Sequence, residues 1–201
     1  MATFTVQDVK ALRDRTGAGI MDVKRALEEA SGDADKAIEI LRVKGAAKAE
    51  KRAERGAAEG VIESYLHATG KIGVLVEVDC ETDFVARTDD FRAFARDVAL
   101  HIAAQPDLEW ISEDDVPQEW IEAERRIFEQ EAADKPENIR PKIVDGKLQK
   151  RLDEVLLLRQ KHVNVDKHEE RTIEQLRAEL SQKTGENVVI RRFARFQVGA
   201  E

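Results

Sequence analysis

Alternation of apolar and polar positions is sharpest at residues 71 to 79, where Ile72, Val74, Val76 and Val78 interleave with Gly73, Leu75 and Glu77. A period of two with branched residues on one set of positions predicts a strand with one well-buried face. Upstream, Val61, Ile62, Tyr65 and Leu66 lead into His67-Ala68-Thr69-Gly70, a turn sequence, so the two runs predict a β-hairpin. Downstream the period changes. Thr82 and Thr88 are good helix N-caps, and Phe91, Phe94, Ala95, Val98 and Ile102 trace a helical stripe. Asp83 and Phe84 fall in the hinge between strand and helix, where a large apolar residue has little local reason to stand. Phe84 either folds back into the core or is offered to a partner, and periodicity alone favours the core.

The first 45 residues predict three short helices. Thr5 with Asp8 forms a cap ahead of Val6, Val9 and Leu12, and Thr16-Gly17-Ala18-Gly19 breaks that helix. The second carries Ile20, Val23, Leu27 and Ala30 on one side and stops at Gly32. The third starts at Asp33 and buries Ala37, Ile38 and Leu41 before Gly45. Residues 46 to 58 hold nothing larger than Ala on any apolar face, so they read as a solvated linker. Beyond the hairpin, helices are predicted at about 88 to 104, about 117 to 134 with Trp120, Ile127 and Phe128 on one side, and about 137 to 157 with Ile139, Ile143, Leu148, Leu152 and Val155. Residues 159 to 171 are polar and read as irregular. Thr172 with Gln175 forms a capping box for a helix through Ile173, Leu176 and Leu180, ended by Gly185. A last strand, Asn187 to Val198, completes an antiparallel sheet of three strands with the hairpin. The fold class is α+β: a three-helix module (1–45), a linker (46–58) and a main domain (59–201) with helices packed on the sheet.

A chain of 201 residues with 42% hydrophobic and 37% charged residues is long enough for one substantial core and a small extra module. No apolar run approaches the roughly 18 residues of a membrane span. The opening Met-Ala-Thr-Phe-Thr-Val lacks the blocks of a signal peptide, so a cytoplasmic location is expected, with no membrane partner. The single cysteine, Cys80, fits a reducing compartment. A net charge of -8 argues against broad binding to phosphate backbones and makes proteins, rather than nucleic acids, the expected partners.

Motifs that suggest chemistry fail on inspection. Gly17-Ala18-Gly19 lacks the Lys and Ser/Thr of a phosphate loop and follows a helix instead of a strand, so it reads as an interhelix turn. Asp79, Glu81 and Asp83 have the spacing of a calcium loop, but Phe84 stands where that loop needs glycine and Asp90 where it needs Glu. Cys80 with His67 or His101 has no local signature of a nucleophile and base and reads as a buried apolar group. His101 reads as a packed histidine, while His162 and His168, in a charged stretch, read as solvated. Arg191-Arg192-Phe193-Ala194-Arg195-Phe196 interleaves basic and aromatic residues but lacks the glycine of RNA-binding sheets. Strict alternation places Phe196 with Ile190 and Ala194 on one face and Phe193 with Val189 on the other, a strand buried on both sides. Lys44, Lys48, Lys51, Arg52 and Arg55, offset by Glu50 and Glu54, read as solvated. No catalytic, metal-binding or cofactor-binding set emerges.

Several stretches together resemble bacterial elongation factor Ts, here in its short form. They are Leu12-Arg13-Asp14-Arg15-Thr16-Gly17-Ala18-Gly19 with Met21-Asp22, Gly32-Asp33 with Ala37-Ile38, and Leu41-Arg42 with Lys44-Gly45. Further on come Ser64-Tyr65-Leu66-His67, Gly73-Val74-Leu75-Val76-Glu77, Thr82-Asp83-Phe84-Val85-Ala86, Lys135-Pro136-Glu137-Asn138-Ile139 and Arg195-Phe196-Gln197-Val198-Gly199. The resemblance implies a guanine-nucleotide exchange factor of elongation factor Tu, acting by binding and not as an enzyme. The first module would be the family's ubiquitin-associated-like domain, with Arg13, Ile20, Met21 and Lys24 touching the GTPase domain. Thr82, Asp83, Phe84 and Val85 would meet its magnesium and phosphate region, and His67 would approach its phosphate-binding loop. The resemblance thus reverses the core reading of Phe84.

The chain also departs from the family pattern. Ile20 and Val23 replace Met and Cys, which are mild apolar swaps. Arg159-Gln160-Lys161-His162 replaces a segment that is often apolar, so its contacts do not carry over. Longer members divide the histidine turn and the Asp-Phe turn between two related core halves, whereas one core carries both here. A homodimer using exposed sheet surface would supply the second half. The alternatives are a ubiquitin-associated-like scaffold that binds without changing nucleotide release, and an RNA-binding module whose affinity would fall steeply with salt.

Overall fold

A computed structural model describes residues 4–200, so the first three residues of the Met-Ala-Thr opening lie outside the described part. Two compact units divide the chain: Met1–Ala99 with Glu174–Glu201, and Leu100–Ile173. The observed class is α+β with one three-stranded antiparallel sheet among the described residues.

In the first unit, α1 (Val6–Thr16), α2 (Ile20–Glu29) and α3 (Ala34–Arg52) enclose Leu12, Val23, Ala26, Leu27, Ala37 and Leu41. The Thr5–Asp8 capping box is formed as expected. Gly17, at φ 65°, ends α1 in the left-handed region and donates its N–H to the Arg13 carbonyl. Two expectations are corrected. Ile20 is the first residue of α2 and is 56% exposed, because the module's core begins one turn later at Val23. Gly45 does not end the third helix, which continues to Arg52 and buries Ala49. A Cβ at Gly45 would collide with the Gln182 side chain, so this glycine permits close approach instead of terminating the helix.

The sheet is built on β2 (Ile72–Cys80). It pairs with β1 (Glu59–Leu66) from Glu59↔Cys80 to Leu66↔Gly73, and with β3 (Val189–Gln197) from Ile72↔Gln197 to Asp79↔Val189. Val74, Val76 and Val78 are buried, as the alternation predicts. β3 departs from strict alternation. A bulge opposite Glu77 and Val78 pairs these residues with Arg192 and Ile190, leaving Arg191 as the extra residue. Ile190 therefore joins Phe193 on the covered face, and Phe196 turns outward, 68% exposed, instead of being buried with Ile190. The open face also carries Ile62 and Leu66 of β1 and Leu75 of β2, all exposed. Between β2 and β3 in sequence stand α4 (Asp83–Ala86) and α5 (Asp89–Ala104), and α9 (Ile173–Thr184) precedes β3. Thr88 accepts the Phe91 N–H at 3.4 Å, the cap expected for α5, and Phe91, Ala95, Val98 and Ile102 are buried along it.

In the second unit, α6 (Gln118–Glu131) and α7 (Arg140–Val155) pack around Val116, Leu148, Leu152, Val155 and Leu156. Trp110 meets Trp120 edge-on at 4.9 Å. Ile127 and Ile139 point to solvent instead of joining the stripes predicted for them. The stretch read as irregular contains α8 (Val165–His168), and here the solvated reading of His162 and His168 is overturned: both are buried. Their charged sequence neighbours face out while the rings pack together, His101 tilted against His162 at 5.4 Å and His162 edge-on to His168 at 4.2 Å. Among the described residues no helix is long and apolar enough to cross a membrane.

His101 is fully buried, its Nε2 2.9 Å from Gln160 Oε1 and its Nδ1 accepting the Val163 N–H. Burial, followed by the neighbouring His162, drives its pKa down from 6.5 to about 4, against the opposing Gln160 hydrogen bond. The unfolded chain therefore takes up this proton near pH 6.5 while the native protein resists until about pH 4. Stability falls across that window as pH drops, by roughly 3 kcal/mol for this group. Urea denaturation from pH 7 to pH 4 should show that slope diminished in His101→Gln.

Candidate functional site

The hinge after β2 is held from a distance in sequence. The Glu186 carboxylate accepts the Glu81 N–H at 3.0 Å, the Thr82 N–H at 3.1 Å and the Thr82 hydroxyl at 2.6 Å. Thr82 Oγ1 in turn accepts the Val85 N–H at 3.4 Å and caps α4. The Glu81 carboxylate accepts the Asn187 N–H at 2.6 Å, and Asn187 Nδ2 donates to the Arg55 carbonyl at 2.8 Å. Val85 and Ala86 point inward, and Phe84, between the cap and these two, is 78% exposed. The core reading of Phe84 is thus overturned by geometry: Val85 occupies the inward direction of this single helical turn. Asp83 is also exposed and pairs with Arg87 one turn on, at 2.7 Å.

The acidic triplet that mimics a calcium loop is engaged with three separate cations. Asp79 accepts from Arg191 at 2.8 Å, Glu81 lies 3.4 Å from Arg55, and Asp83 pairs with Arg87. Cys80 is buried and its thiol donates to the Thr82 carbonyl at 3.2 Å. Burial, then the Glu186 charge, pushes its pKa up to about 11, which removes the thiolate at neutral pH.

His67 stands exposed in the hairpin turn, where its N–H donates to the Ile72 carbonyl at 2.9 Å and its Nδ1 lies 3.3 Å from the Tyr65 hydroxyl. β2 runs from that turn to the Thr82 hinge, so its length separates His67 from Asp83 and Phe84 by about 25 Å. The two predicted elements are not brought together. Arg13, near the end of α1, and Ile20, Met21 and Lys24, in the first turns of α2, flank the Gly17–Gly19 connection. All four are exposed, Met21 by 60%. Residue types alone did not reveal Glu186. Its only sequence signal is a charged residue just past a helix-ending glycine, and its role depends on a strand pairing that brings residues over 100 positions apart together.

Exposed apolar residues at the hinge, on the helical module and on the open sheet face give this α+β protein the profile of an interaction factor. The family model described as Elongation factor TS matches residues 2–170. Elongation factor Ts of Carboxydothermus hydrogenoformans is 55% identical over 198 residues, covering 98% of this chain and 89% of the relative. That of Synechocystis is 50% identical over 201 residues, with 99% and 91% coverage, and that of Thermotoga petrophila 50% over 191, with 95% and 94%. The class is therefore that of translation elongation factors. Within it, the chain belongs to the elongation factor Ts family.

The thiol chemistry gives a check on the hinge. Alkylation of Cys80 at pH 8 should be at least about a hundredfold slower in the native protein than in urea, because the protein protonates and buries the sulfur. Mass spectrometry of iodoacetamide uptake against time measures it.

Proposed function

We propose that this protein binds elongation factor Tu carrying GDP, in the cytoplasm, and promotes GDP release by disturbing the magnesium and phosphate-binding region. The observation that carries this reading is Phe84: a large apolar side chain held 78% exposed on a turn fixed by hydrogen bonds on both sides. A fixed, exposed aromatic loses little conformational freedom on docking and desolvates fully in a partner's pocket. Asp83 places a carboxylate beside it that competes for the partner's local hydrogen bonds against the metal-bound arrangement. Thr82 and Val85 set the turn. His67 acts about 25 Å away along β2, near the phosphate-binding loop. Arg13, Ile20, Met21 and Lys24 dock the helical module on the GTPase domain. No covalent chemistry is required: factor and nucleotide each lower the other's affinity by the same ratio.

Release of a fluorescent GDP analogue from elongation factor Tu, chased with unlabelled GDP, tests this. The wild-type protein should accelerate release. Phe84→Ala should lose about thirtyfold of that acceleration, the loss of a hot spot worth about 2 kcal/mol, with thermal stability shifted by less than about 0.5 kcal/mol because the side chain is exposed. Binding without acceleration by the wild type would leave the scaffold reading in its place.

We also propose that the protein assembles as a homodimer through the open sheet face. Ile62, Leu66, Leu75 and Phe196 form an exposed apolar patch across all three strands, and a second copy presents the same patch to it. Sedimentation equilibrium should give twice the 22.7 kDa chain mass, and Phe196→Glu should return the monomer. A wild-type monomer at tens of micromolar would dismiss the dimer.

A further inference from the structure

The geometry points to Glu186 as a positioning residue for nucleotide exchange, one that sets where Phe84 points without itself meeting the partner. This rests on the reading of Phe84 proposed above. α4 has four residues, far below the length at which a helix holds itself together, so its orientation must come from tethers. On its N-terminal side those tethers converge on one carboxylate. Glu186 Oε2 accepts two consecutive backbone N–H groups, Glu81 and Thr82, and Oε1 accepts the Thr82 hydroxyl. That hydroxyl is also the acceptor for the Val85 N–H, so a continuous chain of bonds runs from Glu186 through Thr82 to the residue after Phe84. Bonds to a charged acceptor are the stronger kind, and three share this one.

Glu186 is itself pinned. Its carbonyl accepts the Ser181 hydroxyl at 2.6 Å and its N–H donates to Thr184 Oγ1 at 3.4 Å, both from the last turns of α9. The next residue, Asn187, is buried, and its N–H returns to the Glu81 carboxylate. The segment between α9 and β3 thus grips the hinge at two consecutive residues from each side. With Glu186 truncated, Thr82 keeps its capping acceptor but loses the partner that orients it, and the turn is held only by the Asn187–Glu81 bond, the Cys80–Thr82 bond and the buried Val85 and Ala86. Displacing a group by about an ångström costs on the order of a hundredfold in a reaction that depends on its placement.

The experiment compares Phe84→Ala, Glu186→Ala and the double variant with wild type in GDP release from elongation factor Tu, each first checked for folding by thermal unfolding. Should Glu186→Ala fail to fold, Glu186→Gln replaces it, exchanging one acceptor for an amide donor at the same size. The expected result is that Phe84→Ala loses about thirtyfold of the acceleration and Glu186→Ala tenfold or more, up to but not beyond that same factor of about thirty. The double variant should then be no slower than Phe84→Ala alone, because Glu186 acts through Phe84. A general weakening of the fold would instead slow both backgrounds by the same factor, which would overturn the positioning role. Wild-type acceleration by folded Glu186→Ala, with Phe84→Ala impaired, would overturn it while sparing the reading of Phe84. Full acceleration by Phe84→Ala would overturn that reading and the positioning role with it.

Discussion

The molecule depends on one strand being paired on both edges. β2 exposes backbone donors and acceptors on either side, and burying it obliges two partners to satisfy them. One partner, β1, is adjacent in sequence and needs only a hairpin turn. The other, β3, lies over 100 residues downstream, so the chain returns through α9 before the sheet is complete. That return delivers Glu186 and Asn187 to the end of β2, where the strand gives way to the α4 turn. The clamp on Phe84 is thus a by-product of sheet completion. The hinge acquires rigidity because the last strand must enter the sheet beside it.

Much of this was legible in residue order. The alternation at Ile72–Val78, the caps at Thr5, Thr82 and Thr88 and the stripes on α5 and α7 are local patterns, and local patterns report local structure faithfully. The misreadings share a different cause: each depends on something brought near by the fold. Gly45 looks like a helix end until Gln182 lies across it. His162 and His168 look solvated until three imidazoles pack against one another with the charges around them turned outward. Phe196 looks buried if alternation runs unbroken through β3, and one extra residue at Arg191 inverts every position after it.

Phe84 is the instructive residue. Periodicity alone places it in the core, because hydrophobicity does not say which residue of a one-turn helix points inward. Val85 and Ala86 take that direction here, which leaves Phe84 facing water. The resemblance to elongation factor Ts favoured a displayed Phe84, and the displayed position is what the structure contains.

If exchange is its function, the distribution of exposed residues has an energetic logic. A partner bound equally well with and without GDP gains affinity but no shift, since only differential contacts move an equilibrium. The helical module, which carries the exposed Arg13, Ile20, Met21 and Lys24 on a core of its own, would suit the uniform part. The differential part must touch groups that move when nucleotide and metal leave, and it must not yield when it does so. A flexible phenylalanine would bend away from a closed pocket, whereas one seated on a turn tied to Glu186 transmits its contact force to the sheet. On that proposal, rigidity at Thr82–Val85 is the property that would convert docking affinity into displacement.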